Sequence, residues 1–552
     1  MGLFTKKPLH LLLAEAGDSE KGMKKTLSAT ALVALGIGAI IGAGLFVRTA
    51  AAAAQNAGPA VTIGFIIAAI GCALAGLCYA ELSSSIPISG SAYTYTYATM
   101  GELLAWIIGW DLVLEYAVGA ATVGIAWSEY LNNLLVHVLH WNPIPYEWCH
   151  SPFQHSKTLL YDAGMNLDAL KGVLGDKAFT EFLTSKQAVL SGDMLQKMGN
   201  TFDPYITTHT GLMNVPALFI VFLLSLLLIK GTQESAFVNS LIVITKVTIV
   251  IMIIVLGWGF INPSNHVPYI PPAGSYVDHA GVSHNFGGIM GILGAAGTVF
   301  FAFIGFDAVS TAAQETKNPK KAMPIGILGS LAVCTVLYIL FAHVLTGLAD
   351  VNFFRTEGGE ASVVAAINKF MPGYSWLSSA VTIAILAGFS SVILVMLLGQ
   401  SRVFYSMSND GLLPKVFSDL HPKYKTPYKA NLFILIIVGL FAAFVPGDIV
   451  GDMTSIGTLF AFMLVCAAVM ILRKTEPGLE RKFKTPLVPL VPIVGILVCA
   501  AMIFGLGWLN WLRLIGWLAL GFIIYFGYSR KHSKLQKGEV VIPSDPPGDA
   551  LH

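Results

Sequence analysis

Twelve stretches of this chain are apolar enough and long enough to cross a bilayer, and that leaves few folds open. A spanning helix needs about 20 mostly apolar residues. Runs of that kind fall at 27–49, 60–82, 101–133, 213–230, 236–261, 290–312, 324–348, 375–405, 430–446, 453–473, 487–507 and 511–529. Inside a bilayer every backbone N–H and C=O must find a partner within the protein, so helices are the form such runs take. Composition points the same way, with 55% hydrophobic residues, 12% charged residues and a mean hydropathy of +0.71, against about 25% charged in soluble domains. The expected class is an all-α polytopic membrane protein with twelve transmembrane helices. A net charge of +2 is too small to suggest nucleic acid as a partner; the lipid bilayer is the expected one.

An even number of crossings puts both termini on one side, and Lys and Arg in the connections say which. Lys21, Lys24 and Lys25 precede segment 1, Lys317, Lys320 and Lys321 lie in the 6–7 connection, and Lys415, Lys423, Lys425 and Lys429 in the 8–9 connection. Arg473, Lys474, Arg481, Lys482 and Lys484 fill the 10–11 connection, and Arg530, Lys531, Lys534 and Lys537 the tail. The 5–6 connection and the 9–10 connection (VPGDIVGD) have no Lys or Arg. Both termini are therefore expected in the cytoplasm of a multi-pass protein of the cell (inner) membrane. The organisation reads as a cytoplasmic N-terminal segment 1–26, a twelve-helix domain 27–529 and a disordered cytoplasmic tail 530–552. The 3–4 connection, about 134–212, is long and outside, and its piece NLDALKGVLGDKAFTEFLTSKQAVL reads as a small amphipathic helix. Cys149, His150 and His155 lie there without a second cysteine, so neither a metal nor a disulfide is expected. The 2–3 connection carries Tyr93, Tyr95 and Tyr97, which suit an interfacial segment. The opening MGLFTK has neither signal-peptide shape nor a complete lipidation motif.

Segment 1 contains GIGAIIGAG, Gly36 to Gly44. A dinucleotide loop needs GxGxxG between a strand and a helix; the spacing here is GxGxxxGxG inside an apolar run. Two readings remain. Gly38 and Gly42 form GxxxG, a close-packing motif. Alternatively Gly36, Gly38 and Gly42 break the helix at mid-membrane, where unwound backbone lines a cavity. Segment 6 supplies a counterpart in FFAFIGFDA, with Gly305 and Asp307 inside the apolar span. A half-helix N-terminus offers free N–H groups that suit a carboxylate. A half-helix C-terminus offers free C=O groups that suit an ammonium, so the pair fits the zwitterionic end of an α-amino acid. Two further ionisable residues lie deep: Lys246 in segment 5, about 15 Å in by helical rise, and Glu115 in segment 3. Lys246 is either a proton-exchanging group or a static cation filling an ion site; Glu115 is either functional or structural.

GIGAIIGAGLFV, GPAVTIGF, YAELSSSIPISGSAYTYTYATMGE, EYAVGAATVGIAWSEYL, FFAFIGFDAVSTAAQETKNPKKAMPIGI and GQSRVFYSMSNDGLLPKVF, spread along nearly the whole chain, resemble the amino acid–polyamine–organocation (APC) superfamily. The closest resemblance is to its cationic amino acid transporter subfamily, bacterial type. That resemblance implies the LeuT-type fold, with segments 1–5 and 6–10 as inverted repeats and discontinuous helices 1 and 6. It implies that Ile40, Ala43 and Gly44 hold the substrate's carboxylate and ammonium through backbone groups. Phe301, Ala302 and Ile304 would do so from segment 6, with an aromatic gate. Lys246 would be the proton-coupling group, and Glu115 a substrate-binding glutamate near the pocket. Met396 aligns with a pocket position held by serine in the animal cationic carriers; a bulky methionine shortens the pocket.

The expectation is a secondary active transporter, not an enzyme, with no cofactor: proton-coupled symport of small or neutral, alanine-like L-amino acids by alternating access. An exchanger, a cationic amino acid carrier and a non-transporting amino acid sensor are the alternatives.

Overall fold

The computed structural model describes residues 2–8, 27–86, 91–162, 164–190, 198–230, 236–277, 283–311, 313, 316–356, 362–424 and 426–539. Its longer helices are α1 (Ala29–Ile40), α2 (residues 44–57), α3 (Val61–Ser85), α4 (Ser91–Thr99), α5 (Glu102–Val138), α6 (Leu167–Ser185), α7 (Val215–Lys230) and α8 (Ala236–Gly257). They continue as α9 (Gly288–Phe300), the short α10 (Ala308–Thr311), α11 (Pro319–Leu348), α12 (Ser375–Asn409), α13 (Tyr428–Phe444), α14 (Gly447–Thr475), α15 (Leu490–Gly505) and α16 (Trp508–Ile524). Among the described residues, eight helical stretches are long and apolar enough to cross a membrane, and α1, α7, α13 and α15 are shorter apolar helices.

Packing sorts the helices into two groups. The first brings α1, α3, α9 and α11 together, and the second α5, α7, α12 and α13. Glycines make the close approaches possible: a Cβ at Gly64 of α3 would lie 3.1 Å from the Ala296 backbone, and one at Gly76 2.8 Å from Leu331. In lipid, where apolar burial itself drives nothing, such small-residue faces let helices pack tightly.

Charge ties the helices at one end. Glu81 of α3 is fully buried. It accepts from Arg473 Nε at 2.9 Å and Nη2 at 2.7 Å and from the Thr485 N–H at 2.7 Å, with Arg481 Nε 3.3 Å away. At the same end residues 2–7 meet residues 533–536. Residues 2–7 run as a strap along α4 and the start of α5, through Lys7 N–H to Tyr97 C=O, Glu102 N–H to Thr5 C=O and Leu103 N–H to Leu3 C=O. Gly101 has φ +95°, and a Cβ there would overlap the Phe4 carbonyl. The Lys7 ammonium pairs with Asp410 at 3.0 Å, which also accepts from Tyr93 at 2.7 Å. The tail closes the loop: Ser533 donates to Glu102, and Gln536 Nε2 donates to the Gly2 carbonyl at 3.1 Å.

Three sequence expectations need correction. Residues 530–539, assigned to a disordered tail, are ordered because they bond the strap and Glu102; residues 540–552 and 9–26 lie outside the described ones. Tyr93, Tyr95 and Tyr97, expected at the membrane surface, are fully buried, because α4 tucks beneath α14 and α10. The connections also hold strands: β1 (His155–Leu160), β2 (Gln187–Val189) and β3 (Ile206–Thr210) form an antiparallel sheet in the order β2-β1-β3. With α6, this sheet encloses its own small core of Leu159, Leu170, Phe182 and Phe202. β4 (Gly274–Val277) and β5 (Ser283–Phe286) form a hairpin in the 5–6 connection. Finally, Gly36 and Gly38 lie within α1 and are helix residues, not break residues.

The 3–4 subdomain is anchored by Asn132, which donates to and accepts from Ile144, and by His150 Nε2 to Glu129 at 3.1 Å. Cys149 and His155 have separate partners, Ile144 with Asn132 and Thr210 respectively. Burial pulls the His150 pKa down, but the Glu129 hydrogen bond and charge outweigh it, so the net value is raised. The stabilisation is therefore complete below the ordinary histidine value of about 6.5 and is lost as pH climbs through the folded-state value. Amide exchange over residues 144–151, corrected for intrinsic rates, should be slower at pH 5.5 than at pH 8.5, and His150→Gln should erase the difference. Glu81→Ala should lower stability by on the order of 3 kcal/mol, because it strands two arginines. Glu480→Ala, which removes only solvent-exposed partners, should leave the melting temperature unchanged.

Candidate functional site

α1 stops at Ile40. Ile41 N–H still bonds Ile37 C=O at 2.9 Å, but Ile41 itself is extended, with φ −72° and ψ 101°. Gly42 follows in a bend, and a wide helical turn begins at Gly44. In segment 6, α9 ends at Phe300, a tight turn covers Phe301–Phe303, Ile304 is extended with ψ 136°, and Gly305 has φ +110°. Helix resumes at Ala308. That positive φ, costly for any residue with a Cβ, is why segment 6 breaks at a glycine.

The two breaks lie against each other. A Cβ on Gly44 would overlap the Ala302 Cα, and one on Gly305 would sit 3.0 Å from the Ala39 carbonyl. Helix ends leave N–H and C=O groups without intrahelical partners; Ile40, Ala43, Gly44, Phe301, Ala302 and Ile304 border the two breaks and are all buried, with the Ile304 N–H donating to the Phe301 carbonyl at 3.3 Å. The Tyr338 hydroxyl of α11 stands between the breaks, 3.0 Å from the Ile40 carbonyl and 3.0 Å from the Ala302 carbonyl.

Two small cavities flank this point. One, of about 10 Å³, is lined by Ile41, Phe46, Lys246, Ile249, Ala384, Ile385, Gly388 and Phe389. The other, also about 10 Å³, is lined by Ala39, Tyr116, Ile304, Gly305, Ala308, Val392, Val395 and Met396. Each has room for about one water, so neither holds an amino acid as it stands. The second cavity has an aliphatic wall, and Met396 forms part of it beside Ile304.

Lys246 is buried, and its ammonium donates to the Gly38 carbonyl at 3.0 Å, one turn before the first break. Its stem needs Gly388: a Cβ there would lie 2.6 Å from Lys246 Cε. Glu115 is fully buried in the wide turn Val113–Val118 within α5. It lies beside Asp307 rather than on either cavity wall, and Asp307 accepts from the Tyr116 hydroxyl at 2.7 Å. Farther along α2, Arg48 is buried and pairs with Asp448 at 2.9 Å and with Asp452.

The structure thus gathers Ile40, Ala43, Gly44, Phe301, Ala302, Ile304 and Gly305 together, with Lys246 on one cavity and Met396 on the other, both cavities lying against α12, and Glu115 beside Asp307. Sequence reasoning missed Tyr338, Tyr116, Gly388 and Arg48. A hydroxyl and a guanidinium inside apolar runs were the available signals.

Comparison with known proteins bears on this geometry. Residues 26–528 match the family model described as amino acid permease. The chain is 40% identical to the branched-chain amino acid permease BcaP of Bacillus subtilis (strain 168), over 97% of this chain and 99% of the relative. It is 38% identical to the methylthioribose transporter of the same organism, over 97% and 99%. It is 29% identical to the vacuolar cationic amino acid transporter 4 of Arabidopsis thaliana, over 85% and 66%. With its apolar helices and a family match over nearly its whole length, this chain belongs to the amino acid permease family and is a multi-pass membrane transporter, not an enzyme.

Proposed function

We propose that this protein carries neutral L-amino acids with small to branched aliphatic side chains across the bacterial inner membrane, by proton-coupled symport. The observation that carries the reading is the pair of abutting helix breaks with an aliphatic cavity wall beside them. The breaks offer carbonyls to an ammonium and N–H groups to a carboxylate, and Ile304, Val392 and Met396 offer nothing polar to a guanidinium. Similarity to a branched-chain permease supports the same class.

The architecture in this reading is twelve crossings with both termini cytoplasmic and a LeuT-type 5+5 inverted repeat. The helix contacts support it: segment 1 meets 6, 2 meets 7, 3 meets 8 and 4 meets 9, each pair five apart. Cavities this small support alternating access, in which a substrate enters when one helix group swings from the other. The strap, the tail and the Glu81 cluster would then close the cytoplasmic end, and Arg48 with its two aspartates the outer end.

Lys246 is the proposed proton-coupling residue. Its charge-assisted bond to Gly38 fastens α8 to α1 immediately before the first break. Loss of the proton would leave an ordinary hydrogen bond, roughly half as strong, and loosen α1. A second reading has an observation of its own: the relative that carries methylthioribose, a ligand whose thioether suits a wall containing methionine.

In proteoliposomes under an inward proton gradient, labelled leucine and alanine uptake should exceed arginine uptake and should collapse with a protonophore. Arginine uptake above both, or methylthioribose outcompeting them, would replace the reading. Lys246→Ala should keep substrate-dependent thermal stabilisation but lose pH-dependent accumulation; an unchanged pH profile would remove Lys246 from the coupling step. Gly44→Ala, which drives a methyl group into the Ala302 backbone, should abolish uptake, whereas Gly172→Ala, where a Cβ would meet nothing within 4 Å, should not.

A further inference from the structure

Tyr338 lies outside both broken segments, on α11, yet its hydroxyl touches both. It is fully buried, with its ring held between Phe65 at 5.7 Å and Phe303 at 5.3 Å between centroids. A phenol hydroxyl has one proton, and here it faces two carbonyl acceptors at equal distance. It can donate to one of them at a time. Each carbonyl has two lone pairs, so both keep acceptor capacity after the hydroxyl is served.

One carbonyl belongs to the last residue of α1, Ile40, and the other to the turn after α9, at Ala302. These are free helix ends from two different segments, and Gly44 packs directly on Ala302. Without a shared partner, nothing obliges the two C=O groups to point to one spot. With it, they converge within the reach of a single small donor. An ammonium with three N–H groups is the ligand part that such a pair of acceptors suits.

We infer that Tyr338 is a positioning residue, one whose hydroxyl clasps the Ile40 and Ala302 carbonyls into a convergent pair that receives the substrate's α-ammonium. The inference rests on the amino acid reading above and adds the group that aligns its two halves. The clasp also couples the segments, since a shift of either break breaks or remakes a bond to the same oxygen. The rigid ring matters because Phe65 and Phe303 fix where the hydroxyl stands.

The test uses the full chain in proteoliposomes, with labelled L-leucine and L-alanine as probes. Tyr338→Phe keeps the ring and removes one oxygen. It should raise KM about fivefold to tenfold, the scale of one buried hydrogen bond, with maximal rate within twofold. Phe182→Leu, in the separate core of the 3–4 subdomain, weakens packing far from the clasp; it should lower the melting temperature and leave KM within twofold. The inference is overturned if Tyr338→Phe leaves KM within twofold, or if Phe182→Leu raises KM as much. It is equally overturned if Tyr338→Phe cannot be purified while Phe182→Leu can, because the hydroxyl is then structural. Failure of the unmutated protein to take up either amino acid sinks the transport reading instead, which keeps the two failures apart.

Discussion

A backbone opened at mid-membrane is tolerable only where protein surrounds it, and the rest of this structure follows from that requirement. Each naked amide or carbonyl facing lipid costs several kcal/mol, so the breaks after Ile40 and Phe303 cannot stand alone. They are placed against each other, close enough that Gly44 has no room for a methyl group. They are walled by α11 on one side, and α5, α8 and α12 contribute the cavity linings. Tyr338 and Lys246 then supply donors from outside the broken segments to carbonyls that the helix ends leave over. Glycine serves two purposes in the same few residues. Gly305 supplies a backbone angle, while Gly36, whose Cβ would collide with Ser330, supplies only space.

That double use explains what could and could not be read in the chain. The twelve apolar runs each contain an apolar helix, because hydropathy over about 20 residues is a strong and local signal. The break after Ile40 was legible as a glycine cluster, but its exact place was not: Gly36, Gly38 and Gly42 look alike in sequence, and only contacts with other helices separate packing from unwinding. Gly305 was clearer, since Asp307 beside it already marked the segment. Tyr338 escaped notice because its partner Ile40 lies 298 positions away, and a tyrosine in VLYILF reads as one more aromatic. Gly388 has meaning only through the lysine stem that fills its space. The strands near 155–210 were hidden for a different reason: HSKTLL and ITTHT are short and largely solvent-facing, so they show little alternation.

The buried charges fall into groups with distinct mechanical settings. Glu81 with its arginines, and Arg48 with Asp448 and Asp452, sit at opposite ends of the helix bundle, each joining a helix of the broken-segment group to α14. Such pairs contribute little net stability when intact, but breaking one leaves an uncompensated charge. Each therefore fixes how two helices meet more than it adds to net stability. Lys246 and the Glu115–Asp307 neighbourhood lie between them, flanking the breaks.

The contact between the strap at residues 2–7 and the segment around Ser533 and Gln536 carries a practical consequence. Gly2 is hydrogen-bonded to Gln536, and the same few residues rest on α4, whose tyrosines run up beneath the second half of segment 6. An affinity handle or fluorescent partner fused ahead of residue 2 would hang from a strap that is itself stitched onto α4 and the start of α5. A reporter dye placed there would sense movement of those helices, and a bulky fusion would tug on them.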